Sequence, residues 1–324
     1  MIAALILAHQ APELLGRLVR RLEAYGAQCF IHVDSKADIT PFHTACSAAA
    51  KAVFLEHRIK VRWGGFSMIE ATLSLLSTAL SKQAFTHFVF ISGNSYPIKP
   101  REQFLQMVTM PLEQMELRVI PPGSAVYKRI AQTFIPDTSV GAFRQDGDWT
   151  LQRFLTEDTV ADFDRIRRVF EMKKTEFPWR YAKGSQWWIL TRATALRCLD
   201  VLARETDFVN WFTYSSVPDE ALFQTIIENF VPFNVKRESP VYTLWNSSPR
   251  PYLFRDSEDL ERLKNAPAPF ARKFSIEHGC LLLDLLDEWM DSFETPRAND
   301  IVTEWKEPRA QTRTRRGRRP LSGT

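Results

Sequence analysis

The sequence predicts an α/β fold: one domain built on a mostly parallel central sheet flanked by helices. Three observations carry that expectation. Short continuous apolar runs alternate with longer stretches of helical period through the N-terminal half. Runs of that kind read as strands buried on both faces, as in a parallel sheet covered by helices. The chain has 324 residues, 45% of them hydrophobic, which is enough for one large core.

The first run, "AALILA" (3–8), predicts a fully buried strand. "APELLGRLVRRLEAYG" follows, with Leu14, Leu15, Leu18, Val19 and Leu22 on one helical stripe and Gly26 as its stop. "QCFIHVD" (28–34) is the second strand. "SMIEATLSLLSTALSK" (67–82) predicts a helix opened by a capping box, because Ser67 and Glu70 have the required spacing. "HFVFIS" (87–92) is another buried strand, and "REQFLQMV" after Pro100 another helix. Residues 121–180 mix prolines, aromatics and charges, and predict loops around one helix in "DTVADFDRIRRVFEM". "SQWWILT" (185–191) then reads as a strand, "RATALRCLDVLARE" as a helix, and a further helix follows "VPDE". "VYTLW" (241–245) is a strand, with short helices near 257–264 and 279–289. Past about residue 292 the apolar pattern fades, which sets the domain at 1–292 and a basic tail at 293–324.

Net charge is +4, but "RAQTRTRRGRR" alone holds Arg309, Arg313, Arg315, Arg316, Arg318 and Arg319, leaving the body near −2. The body therefore lacks the broad basic face of a nucleic-acid-binding protein, and no nucleic-acid partner is expected. The tail reads as a solvated charge run, with weak attraction to an anionic membrane surface as its alternative use. Cys29, Cys46, Cys198 and Cys280 form no C-x-x-C pair and read as reduced thiols of a cytosolic protein. "MIAALILAHQAPELL" lacks a basic n-region and a long h-region, so no signal peptide is expected. No run approaches bilayer-spanning length, and the expected location is cytoplasmic or peripheral at the inner membrane face.

In an open parallel sheet, ligands gather where strands end. His9, His32, Asp34 and the turn Ser92–Gly93–Asn94 stand at such ends. Each alone serves as a satisfied turn residue; three at one sheet edge point to a pocket. "RWGGFS" (62–67) offers either close backbone approach to a ligand or a plain turn. Asp146–Gly147–Asp148 and Asp162–Phe163–Asp164 have the spacing that holds a divalent ion against a pyrophosphate. Neither follows a buried strand, and both read as structural. Without a metal, arginine and lysine must meet phosphate charge. Arg250 in "SSPRPYLF" and Arg272 and Lys273 in "PFARKFS" are the candidates, although each alone reads as a surface cation. Trp187 and Trp188 alternate across a strand, so at least one fills the core. The other, with Trp245 or Trp179, is available to stack on a sugar ring. In "SSVPDEALFQ", Pro218 suits a first helical turn, and acids there complement the helix dipole. One carboxylate satisfies that role. Asp219 and Glu220 together leave one to spare.

The blocks "LILAHQAPELLGRLV", "FIHVDSK", "VRWGGFSMIEATLSLL", "FVFISGNSYPIK", "KGSQWWILTR", "VPDEALFQTII" and "FARKFS" occur in this order. Together they resemble the core-2/I-branching enzyme family, which includes β-1,6-N-acetylglucosaminyltransferases and peptide O-xylosyltransferases. The resemblance runs from residue 1 to about 290 and is weakest across 121–178. It implies a GT-A-like fold and an inverting, metal-independent transfer of GlcNAc or xylose from a UDP-sugar. The acceptor is then a hydroxyl of a glycan or protein, and no metal or other cofactor is expected. By the same resemblance Glu220 is the general base, Lys273 and Arg250 contact the diphosphate, Asp34 touches the nucleoside, and Trp63 lines the same pocket. Asp219 keeps the helix start, and Trp187 and Trp245 stand as acceptor-binding candidates. The chain departs from the family at Ser95, often an aspartate, and at Gln186, an acid in some xylosyltransferase relatives. For a relative of this family without the eukaryotic members' membrane anchor, the expected role is in building a surface or secreted polysaccharide; the rival expectation is a degenerate relative that binds a nucleotide sugar or glycan without turnover.

Overall fold

Apolar side chains on both faces make a strand a layer between helices, and the N-terminal strands are filled that way. A computed structural model describes residues 1–138, 141–144, 163–231, 235–245 and 251–294. Its strands run in chain order as β1 (Ile2–Ala8), β2 (Ala27–Val33), β3 (Val53–Phe54), β4 (His87–Ser92) and β5 (Ser95–Pro97). There follow β6 (Glu113–Met115), β7 (Arg118–Val119), β8 (Phe134–Thr138), β9 (Gly141–Arg144) and β10 (Ala182–Lys183). The last four are β11 (Trp188–Thr191), β12 (Val235–Lys236), β13 (Val241–Thr243) and β14 (Phe270–Arg272).

The main sheet has seven strands in the order β12-β6-β11-β4-β1-β2-β3. Pairs β1–β2, β1–β4, β2–β3 and β6–β12 are parallel, and β11 runs antiparallel between β4 and β6. The expected α/β class with a mostly parallel central sheet is the observed one. In the central strands Leu5, Ile6, Phe30, Ile31, Phe88 and Ile91 are completely buried. Helix Pro12–Ala24 lays Leu14, Leu15, Leu18, Val19 and Leu22 on the core, the stripe its sequence shows. A smaller sheet, β13-β14-β5, sets Arg272 opposite Ser95 in register and so brings "FARKFS" beside the end of β4.

Several local expectations change. Helix Ser67–Lys82 forms, but Phe66 is its N-cap and no side chain caps it. The Ser67 hydroxyl instead accepts the Arg62 N–H at 2.7 Å, a turn bond that closes the Gly-Gly loop. "SQWWILT" is a strand only from Trp188. Trp187 and Trp188 are both buried, and Trp179 packs on Phe177 and Phe208 rather than facing a ligand. The last helix spans Ile276–Asp291 with a kink at Gly279, whose φ/ψ are not helical, so its continuous part is the one expected near 279–289. Asp146, Asp148 and Asp162 lie outside the described residues, as does the tail from residue 295. Among the described residues no helix is long and apolar enough to cross a membrane.

Candidate active site

A cleft of about 1020 Å³ opens where β1 and β4 end, as the topology of an open α/β sheet dictates. Its wall carries His9 after β1, Ser92 at the end of β4, Asn94 just beyond it, and Glu220, Arg272 and Lys273 from the C-terminal half.

Glu220 ends a single 3-10 turn, Pro218–Glu220, entered through Val217 in the left-handed region at φ 55°. The helix proper starts at Leu222. Three contacts fix this turn. The Val217 N–H donates to the Gly64 carbonyl at 2.9 Å, joining the turn to the Gly-Gly loop, where Gly64 has φ 73°. The Gly184 N–H donates to the Glu220 carbonyl at 2.8 Å. Gln224 Nε2 donates to the Ser185 carbonyl at 2.6 Å, locking the helix to "KGS". Gly184 is required here, since a Cβ would stand 1.7 Å from the Glu116 carbonyl oxygen. The Glu220 side chain is held by two cations on one oxygen: Arg129 Nη1 at 2.8 Å and Lys183 Nζ at 2.9 Å, both from Oε2. Oε1 takes part in neither contact, so the carboxylate is oriented with one oxygen in reserve.

Asp219 stands in the first turn of this short helix, as expected, but it is buried there and its Oδ1 has no hydrogen-bond partner among the described residues. Burial, and then the neighbouring Glu220 charge, push its carboxyl up to about 7, against the weaker pull of Arg129 and Lys183. The physical reason is the tight turn, which sends adjacent side chains to different surroundings. The Glu220 carboxylate meets cations, and that of Asp219 enters the wall.

The same cleft is lined by Arg272 and Lys273, neither paired with a carboxylate among the described residues. Arg272 is not the surface cation its sequence suggests. Its guanidinium lies 5.0 Å from the centroid of the Trp187 ring, its Nε has no partner, and burial lowers its pKa to about 10. A guanidinium remains charged there at neutral pH, so the wall presents a partly desolvated cation with no internal anion. Trp187 is 5% exposed, between Arg272 and Phe90. It is a platform for the guanidinium, which narrows the expected sugar-stacking role.

Trp63 and Trp245 are the open aromatics of the rim, 77% and 57% exposed. Asp34 is buried at the end of β2, where Oδ1 accepts the Lys36 N–H at 3.0 Å and Oδ2 lies 3.4 Å from Lys36 Nζ. It stands behind His9, whose pKa is lowered by burial against the raising field of Asp34. Arg250 lies outside the described residues. Ser95, at the family's frequent aspartate position, is buried and bonded to Ser92 at 3.0 Å. Among the described residues no three His, Cys, Asp or Glu side chains are placed to share a metal ion.

The model of the family described as "Core-2/I-Branching enzyme" matches residues 2–266, well over half of the chain. The chain belongs to the core-2/I-branching enzyme family. That places it among glycosyltransferases. No curated protein matches it. Among solved structures it is similar to HddC from Yersinia pseudotuberculosis, complexed with GMP-PN and without it. Identity is 17% in both, over 42% of this chain and 65% of that chain, with TM-scores of 0.27 and 0.26. The chain thus spans about two thirds of those structures, a likeness too slight to inform the site.

Sequence reasoning missed Arg129 and Lys183; it named Arg272 as a candidate cation but gave the diphosphate to Lys273 and Arg250. Lys183 opens the quoted block "KGSQWWILTR", and Arg272 adjoins Lys273, so both had a local signal. Arg129 lies in the irregular middle of the chain and had none.

Proposed function

We propose that this chain is an inverting, metal-independent glycosyltransferase that moves GlcNAc or xylose from a UDP-sugar to a hydroxyl of a glycan or protein. A role in surface polysaccharide biosynthesis accompanies that reading. The observation that carries it is one cleft lined both by an oriented carboxylate, Glu220, and by two cations, Arg272 and Lys273, that have no ion pair among the described residues.

The step balances without an added reagent. Glu220 takes the acceptor hydroxyl proton, the acceptor oxygen bonds to the anomeric carbon, and the bond from that carbon to the phosphate oxygen breaks. The electron pair leaves on UDP, whose charge grows as it departs. Fixed cations aimed at developing charge stabilise the transition state more than the ground state. Arg272, held over the Trp187 ring, is pre-organised for that task. Lys273, and Arg250 by family resemblance, complete the diphosphate grip. Arg129 and Lys183 fix Oε2 of Glu220, which leaves Oε1 to approach the hydroxyl. Trp63 and Trp245 offer rigid apolar faces to base or sugar. Asp34 is assigned to the nucleoside through its place beside His9.

The test is a UDP-sugar panel, beginning with UDP-GlcNAc and UDP-xylose and read as UDP release with and without EDTA. Release that is indifferent to EDTA and lost in Lys273→Ala is the expected result. Glu220→Gln should lower transfer by about 10²- to 10⁴-fold while leaving UDP affinity unchanged. A variant that keeps more than about a tenth of the rate removes Glu220 from the base role. UDP-sugar binding with no turnover would favour the degenerate relative.

A further inference from the structure

Behind Glu220 lies a second cavity, of about 240 Å³, lined by Lys128, Arg129, Gln132, Phe134 and Ser216 among others. Arg129 is the bridge between the two spaces: it lines this cavity, and its Nη1 reaches Glu220 Oε2 in the main cleft. No carboxylate lines the cavity among the described residues. Oε2 of Glu220 already has Lys183 as a second cation, and the same two cations face the buried Asp219 carboxyl, which burial keeps protonated up to about pH 7. Lys128 adds a third cation and has no ion pair among the described residues. The flank beside the base thus carries surplus positive charge. It is separate from the diphosphate grip, since neither Arg272 nor Lys273 lines this cavity.

Two cations with an amide and a hydroxyl nearby suit a carboxylate or a phosphate group, which accepts several charge-assisted hydrogen bonds at once. The volume admits such a group with the carbons that bear it, while a whole nucleotide belongs to the larger cleft. On the transferase reading above, Glu220 takes the proton of the acceptor. A group bound across Arg129 from Glu220 therefore belongs to the acceptor rather than the donor. We propose that this cavity is an acceptor subsite for a negatively charged substituent, and that the acceptor is an anionic glycan. Its charged group, a uronic acid carboxylate or a sugar phosphate, sits close to the reacting hydroxyl.

The test titrates the full-length protein, saturated with UDP so that the diphosphate grip is filled, with glucuronic acid, glucose 6-phosphate, glucose and a short glutamate-rich peptide. At least one charged sugar should bind about tenfold more tightly than glucose. Lys128→Gln should abolish that preference, and Lys128→Arg should keep it. Which charged sugar binds tells carboxylate from phosphate. Equal binding of all three sugars, indifference to Lys128→Gln, or preference for the peptide overturns the proposal. The two readings fail separately. UDP binding without charged-sugar binding removes the subsite, whereas charged-sugar binding without UDP binding keeps the anion site and removes the transferase.

Discussion

At the scale of single residues, the adjacent acids Asp219 and Glu220 show how far backbone geometry divides like groups. Burial places the Asp219 carboxyl at about 7, against an ordinary 3.8. A carboxyl raised in the folded state holds its proton there after the unfolded chain has lost it. Stability is therefore full below about pH 4, falls as pH rises towards 7, and is flat above. At 1.36 kcal/mol per unit the full cost is on the order of 4 kcal/mol. Asp219→Asn removes the ionisation, so urea midpoints at pH 5 and pH 8 should differ less in the variant than in the parent. An unchanged slope would place the titration elsewhere. Nothing in "VPDE" marks Asp219 as buried, because sequence shows the local preference for acids at a helix start and not the wall behind them. Glu220 was legible through the ordered family blocks. Its partner Arg129 was not, since an ion pair between residues 91 positions apart leaves no local pattern.

At the scale of elements, the active turn depends on how closely "KGS" approaches its neighbours. Gly184 leaves no room for a side chain, and its N–H holds the Glu220 carbonyl. Gly184→Ala should cost more than about 2 kcal/mol and also shift the Glu220 carboxylate, because relief of the clash moves the backbone that anchors it. Urea unfolding together with UDP release tests both effects; a stable variant of normal activity would show that the strand yields cheaply. The central strands and long helices were legible because burial on one or both faces writes its period into the sequence. The short strands β5, β7 and β14 were not, since two or three residues carry no period and tertiary pairing alone defines them. The capping box failed for a related reason: the Ser67 hydroxyl has a better-placed donor in Arg62.

Over the whole molecule, the two ends of the described chain are clamped together. Arg17 and Arg21 of the first helix pair with Asp284, Asp287 and Asp291 of the last, and the Tyr96 hydroxyl donates to Asp287 at 2.9 Å. Asp287 is the centre, with only 18% of its side chain exposed, whereas Asp284 is 53% exposed. Asp287→Asn should therefore cost on the order of 2 kcal/mol, and Asp284→Asn less than about 1 kcal/mol. Urea unfolding at low and high salt distinguishes them; equal costs would mean that burial does not grade the network. This closure was invisible in the sequence, where the partners lie some 270 positions apart. The hydrogen bond from Val217 to Gly64 has a wider meaning in this frame. It couples the loop that displays Trp63 to the turn that presents Glu220, so the two travel as one body. On the transferase reading proposed above, a donor seated against Trp63 would bear on the aim of a carboxylate it never touches.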